Sequence, residues 1–87
     1  MGVTHAEFFR NIPRVLTGEI LQTSDTGCVI SGEGTSVRIE LGDEGERRIA
    51  LIVLPVTQVT IHFSGFDEET KEAFLQRFDR AFQRGGG

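Results

Sequence analysis

The most strongly patterned stretch of the chain is residues 67–84, which read DEETKEAFLQRFDRAFQR. Its apolar residues recur at the three- and four-residue spacing of an amphipathic helix. They are Phe74, Leu75, Phe78, Ala81 and Phe82. Asp67 stands at the position of a helix cap, and Glu68 and Glu69 suit the positive end of the helix dipole. Gly85 follows as a residue that commonly ends a helix. The pattern therefore predicts a long amphipathic C-terminal helix.

A second, shorter helix is predicted at residues 5–12. Thr4 and Glu7 have the spacing of a capping box, in which each side chain accepts a hydrogen bond from the other residue's backbone N–H. Pro13 ends the helix because the residue before a proline disfavours helical backbone geometry.

Short runs of strand character lie between the two helices. The predicted strands are 18–23, 28–31, 36–41, 47–54 and 57–64. Residues 42–45 (Gly-Asp-Glu-Gly) are predicted to form a turn. Such short connections favour antiparallel neighbours, because parallel strands need crossovers of about a dozen residues. Only Pro55 and Val56 separate the last two strands, so residues 47–64 form either a tight hairpin or one strand bent at the proline.

These elements predict a single α+β domain over residues 1–87. An antiparallel four- to five-stranded sheet, a meander, carries a short N-terminal helix and a long amphipathic C-terminal helix packed on it. An 87-residue chain has the length of one domain, and its 38% hydrophobic content is sufficient for a core. Residues 84–87 are predicted to form a flexible Gly-rich tail.

Composition excludes several classes of function. Thirteen acidic residues against nine basic ones give a net charge of −4, which argues against a nucleic-acid partner. No apolar run approaches the roughly 18 residues of a membrane span, so no membrane partner is expected. The N-terminus lacks the basic and apolar segments of a signal peptide. The expected location is therefore cytoplasmic.

The residues able to support catalysis or bind a metal are few. His5, His62 and the single cysteine, Cys28, lie on three distant elements without the spacing of a metal or catalytic motif. His5 is expected at a solvent position behind its helix cap, His62 on the polar side of a strand, and Cys28 in the core. We therefore expect no catalytic residue, no metal site and no cofactor, and the chain is not predicted to be an enzyme.

Two surfaces of the predicted sheet are candidate binding sites. Residues 49–54 are apolar on both sides of a strand. One side is expected to join the core, and the other, with Ala50, Ile52 and Leu54, needs cover from the N-terminal helix, a second subunit or a partner protein. The polar residues Gln58, Thr60 and His62 on the neighbouring strand could face a ligand.

The chain ends in Gly86 and Gly87, and in this respect it resembles ubiquitin-like sulfur carriers. The resemblance implies a C-terminal carboxylate that a partner enzyme activates by adenylation. The carriers reach their two glycines from a strand and have their long helix mid-chain. Here the long helix directly precedes the glycines, so a helix stop at Gly85 followed by a frayed end explains the same residues.

The sequence thus predicts a small, non-catalytic cytoplasmic accessory or binding protein that acts through protein–protein contact, including self-association as a homodimer. Two alternatives stay open, a sulfur-carrier-like protein that uses Gly86 and Gly87, and a small-ligand-binding domain.

Overall fold

A computed structural model describes residues 1–82, apart from the side chains of Ile49, Leu54 and Pro55. In chain order the elements are α1 (His5–Asn11), the 3₁₀ helix η1 (Ile12–Val15), β1 (Ile20–Ser24), β2 (Gly27–Ser31), β3 (Ser36–Ile49), β4 (Ile52–Ser64) and α2 (Glu68–Ala81). The predicted α+β class, with one helix at each end of an antiparallel sheet, is confirmed. The predicted tail at residues 84–87 lies outside the described residues.

Helix α1 begins with the predicted capping box. The Thr4 hydroxyl accepts a hydrogen bond from the Glu7 N–H at 3.1 Å, and the Glu7 carboxylate accepts one from the Thr4 N–H at 3.4 Å. Pro13 falls in the first turn of η1, where its missing N–H would have no helical partner. The α-helix ends at Asn11, and the chain continues as a 3₁₀ turn that buries Ile12 and Val15. Contrary to the expectation from the sequence, Ile12 keeps helical backbone angles (φ −58°, ψ −33°) before the proline.

Helix α2 is capped by Asp67, as predicted. The Asp67 carboxylate accepts from the Thr70 N–H at 2.7 Å, and the Thr70 hydroxyl accepts from the Asp67 N–H at 3.1 Å. The bond from the Thr70 N–H holds the pKa of the Asp67 carboxyl below its ordinary value. The apolar side of the helix is buried, with Phe74 1% and Phe78 6% exposed.

The four strands form one antiparallel sheet in the order β1-β2-β3-β4. Ile39 in β3 lies between Cys28 in β2 and Ile61 in β4, so these three residues share a side of the sheet. β2 pairs with β3 only as far as Glu40, whereas β3 and β4 continue together to Ile49 and Ile52. The end of this hairpin therefore extends beyond the four-stranded sheet as a two-stranded ribbon. We call its Glu44–Thr57 part the arm.

The strand boundaries in this hairpin differ from both alternatives that the sequence offered for residues 47–64. The turn falls at Ala50 and Leu51, so residues 47–49 belong to β3 and residues 52–54 to β4. Ala50 has a φ of +54°, a left-handed conformation that glycine or asparagine usually adopts. The sequence therefore carries no ordinary turn signal at the position where the chain reverses.

The predicted turn at residues 42–45 is instead part of β3 and contains a bulge. Leu41 lies opposite Val59 and Glu44 opposite Thr57, so β3 has one residue more than β4 over this interval. A Cβ at Gly42 would lie 3.2 Å from the Gln58 Cβ, which explains why glycine suits this close approach.

Pro55 continues β4 without ending it. Backbone groups two residues apart in a strand point the same way, and those of Thr57 point away from β3 towards Met1. The missing N–H of Pro55 therefore falls on the outer edge of β4, away from β3, where a strand tolerates proline.

Both helices pack on the same side of the sheet and share one core. The fully buried side chains of α1 and α2 belong to the same cluster as those of β2 and β3. The Phe8 ring of α1 stacks against Phe82 at the end of α2, with ring centroids 5.4 Å apart. In the middle of α2, Phe74 meets Phe63 of β4 edge-to-face, with ring centroids 5.6 Å apart. The opposite side of the sheet carries the exposed polar residues.

Replacing Phe78 by alanine is expected to leave the domain mostly unfolded. Truncation of a buried phenylalanine costs about 3–5 kcal/mol of the free energy of unfolding. A domain of this size has roughly 5 kcal/mol in total. Urea denaturation followed by circular dichroism measures the loss.

The matched control is Arg80→Ala, at an exposed position of the same helix, which should change the free energy of unfolding by less than about 1 kcal/mol. A Phe78→Ala protein with wild-type stability would show that this ring does not hold α2 on the sheet.

Candidate functional site

Ile52, from the predicted apolar surface, and the three predicted polar residues lie on one side of a single strand, β4. Alternate residues of a strand point to the same side, so Ile52 and Val56 share a side with Gln58, Thr60 and His62. Ile52 is 58% and Val56 36% exposed, and the three polar side chains are exposed as well. This outer side of β4 is therefore apolar in the arm and polar over the four-stranded sheet.

Ala50 and Leu54, the other two residues of the predicted apolar surface, have different positions. Ala50 lies in the hairpin turn, not on a strand, because the chain reverses there. Leu54 pairs with Arg47 in the β3–β4 ladder, and its side chain lies outside the described side chains. Of the predicted surface, Ile52 is the residue that the structure places on an exposed strand side.

Two residues that were expected to join the core are exposed too. Leu51, in the turn, is 100% exposed, and Val53, in β4, is 47% exposed. The sequence did not predict that Leu51 and Val53 are exposed, because it shows a continuous apolar run of strand length and no turn signal at Ala50. The N-terminal helix does not cover the predicted apolar surface, since Ile52 is 58% exposed in the described part of the chain.

The polar end of the outer side contains a charged cluster. Glu40 in β3 lies next to two basic side chains, with Arg38 Nε at 3.3 Å and His62 Nε2 at 3.6 Å from its carboxylate oxygens. All three side chains are about half exposed, so solvent weakens the pairs. The cluster orders this patch but contains no nucleophile with an adjacent base.

The base of the arm is held by the N-terminal segment. Met1 and Thr57 exchange two backbone hydrogen bonds, of 2.8 and 2.7 Å, in the pattern of an antiparallel pair. The Thr57 side chain is completely buried, and its hydroxyl donates to the Val3 carbonyl oxygen at 2.6 Å. Thr57 is the one buried polar residue in the described part of the chain, and its hydrogen bonds offset the cost of that burial.

His5 is not at the solvent position that the sequence suggested. Its side chain is partly buried, and its Nε2–H donates to the Gly42 carbonyl oxygen at 2.7 Å. The His5 backbone N–H, in the first turn of α1, donates to the Glu44 carboxylate. An acidic side chain at a helix N-terminus is favourable because it pairs with free N–H groups there. His5 and Glu44 thus attach α1 to the bulge of β3.

Cys28 lies in the core, as expected, and is 4% exposed. Burial raises the pKa of its thiol to about 11. The described residues contain no group of three or more histidine, cysteine or acidic side chains placed to hold a metal ion. Among the same residues, no helix has both the length and the apolar character needed to cross a membrane.

Comparisons with protein-family models, with curated proteins and with solved structures gave no match. Gly86 and Gly87, on which the resemblance to sulfur carriers depends, lie outside the described residues. Function is therefore argued from the geometry above.

The Cys28 thiol is expected to resist alkylation in the folded protein. At pH 8 a thiol with a pKa of about 11 is almost entirely protonated, and its burial also blocks the reagent. Iodoacetamide should therefore modify Cys28 only after denaturation, as intact mass spectrometry would show.

The raised pKa of the Cys28 thiol also lowers the free energy of unfolding at alkaline pH. The thiol has a higher pKa in the folded protein than in the unfolded chain. Its contribution to the free energy of unfolding is therefore full below about pH 9 and is lost as the pH rises through about 11.

Rapid alkylation of the native protein at pH 8 would contradict the assignment of Cys28 to the core.

Proposed function

We propose that this chain is a small non-catalytic binding protein that acts through protein–protein contact, and that it binds a second copy of itself through the arm. The observation that carries the proposal is the exposed apolar end of the arm. Leu51 is fully exposed and Ile52 is 58% exposed, although isoleucine and leucine are usually buried. Contiguous apolar residues on a small protein are typical of an interaction surface.

The two-stranded form of the arm supports the same proposal. β2 accompanies β3 only to Glu40, so the ladder from Glu44 to Thr57 has no third strand among the described residues. An isolated two-stranded hairpin is marginally stable at best in water, because it buries little apolar surface. A partner that packs on the arm would supply the missing burial.

The charges of the arm favour a second copy as that partner. Along β3, the acidic residues Glu44 and Glu46 are followed directly by Arg47 and Arg48, and all four are exposed. Glu46 and Arg48 lie on the same side of the ribbon, so two arms in antiparallel orientation bring Arg48 of one copy towards Glu46 of the other. A two-fold axis relates the two copies, so each such contact between them occurs twice.

The replacement Ile52→Asp tests the proposal. The wild type is expected to have twice the mass of one chain by light scattering, and Ile52→Asp to have the mass of one. The variant should keep its wild-type circular dichroism spectrum, because a carboxylate at this exposed position stays hydrated in the monomer.

Ile20→Asp is the matched control. Ile20 is 66% exposed, but it lies in β1, at the opposite edge of the sheet from β4. This variant should remain a dimer. A wild type that is monomeric at its highest soluble concentration, or an Ile52→Asp protein that remains dimeric, would contradict the proposal.

A further inference from the structure

A cleft runs along the side of α2 that faces η1 and the start of the sheet. Its first part has a volume of about 290 Å³, and its described lining residues are Arg14, Arg77, Arg80 and Ala81. Arg14 comes from η1, and the other three come from the C-terminal end of α2. Three guanidinium groups therefore border one small cleft in a chain whose net charge is −4.

Arg77 is fixed in this cleft by its neighbours. Its Nε–H donates to the Val15 carbonyl oxygen at 3.2 Å, and one terminal nitrogen donates to the Glu19 carboxylate at 3.4 Å. The Arg77 side chain is 31% and the Glu19 side chain 20% exposed, so the pair is partly sheltered from solvent. These bonds use two of the five N–H donors of a guanidinium, so Arg77 is oriented and still has donors for a ligand.

Arg14 and Arg80 have no carboxylate partner within residues 1–82. Asp79 precedes Arg80 in α2 but is not among the residues that line the cleft. The Glu19 carboxylate offsets the charge of Arg77 alone, so Arg14 and Arg80 still repel one another, and an oxyanion between them reduces that repulsion. Guanidinium groups bind carboxylates and phosphates through charge-assisted, often bidentate hydrogen bonds.

A second pocket adjoins the cleft, and Arg77 lines both of them. It has a volume of about 240 Å³. Five of its described lining residues are apolar, namely Ile30, Val37, Phe66, Ala73 and Phe74, and the others are three threonines, Glu19 and Arg77. A few polar groups beside an apolar pocket are characteristic of small-molecule binding sites.

We propose that this cleft binds a small molecule with an oxyanion group and an apolar substituent. The oxyanion, a phosphate or a carboxylate, lies between Arg14, Arg77 and Arg80, and the apolar substituent occupies the pocket beside Ala73 and Phe74. The site is separate from the arm and does not depend on self-association.

Calorimetric titration with three probes at constant ionic strength tests the proposal. The probes are inorganic phosphate, phenyl phosphate and 3-phenylpropanoate. Phenyl phosphate should bind at least about tenfold more tightly than inorganic phosphate, because the ring removes apolar surface from water. Comparison of phenyl phosphate with 3-phenylpropanoate then distinguishes a phosphate site from a carboxylate site.

Variants locate the binding. Arg14→Gln and Arg80→Gln should each weaken phenyl phosphate binding by about tenfold or more, since each removes a charge-assisted hydrogen bond. Arg10→Gln is the matched control, because Arg10 is an exposed arginine of α1 outside the cleft lining, and binding should be unchanged. Ala73→Leu should fill the pocket and abolish the preference for phenyl phosphate over inorganic phosphate.

The proposal is wrong if phenyl phosphate shows no saturable binding to the wild type. It is equally wrong if Arg14→Gln and Arg80→Gln bind like the wild type, or if Arg10→Gln weakens binding as much as they do. An undiminished preference for phenyl phosphate in Ala73→Leu would contradict the position given to the apolar group.

Discussion

The bulge in β3 between Leu41 and Glu44 is the constraint on which the arm depends. Before it, Val37, Ile39 and Leu41 face the core. The extra residue reverses the alternation, so that Glu44 lies on the same side as Thr57. Without the bulge, Glu44 would point to the other side of the ribbon and its carboxylate could not meet the N-terminus of α1.

The contacts at the bulge explain how a two-stranded ribbon can extend from so small a domain. The N-terminal segment pairs with Thr57 on one edge, and His5 binds the Gly42 carbonyl oxygen and reaches Glu44 through its backbone. These hydrogen bonds fix the base of the arm to α1, which is itself packed in the core through Phe8. Beyond this base the described side chains are exposed on both sides, and the arm has little burial of its own.

Local signals in the sequence were sufficient for the helices and for the fold class. The capping residues Thr4 and Asp67 and the phenylalanine spacing of α2 act within a few residues of one another, so the sequence shows them directly. The alternation of Val37, Ile39 and Leu41 likewise predicted the buried side of β3. Short turns between the strands indicated an antiparallel meander, and the sheet order agrees.

The hairpin boundaries were not predictable in the same way, because glycine and proline have more than one role. Gly42 permits a close approach across a bulge, and the missing N–H of Pro55 falls on the outer edge of β4. The chain instead reverses at Ala50, which has no turn preference. The arginine cleft was missed for another reason. Arg14 and Arg80 are 66 positions apart in the sequence, and only the packing of η1 against α2 brings them together.

Hydrogen–deuterium exchange of the arm amides, measured over a range of protein concentrations, tests most directly whether the arm is completed by a second copy. The account predicts that the amides of residues 47–53 exchange rapidly in dilute protein and slow as the concentration rises, while those of α2 stay protected throughout. Rapid exchange of the arm at every concentration, or slow exchange that persists on dilution, would contradict it.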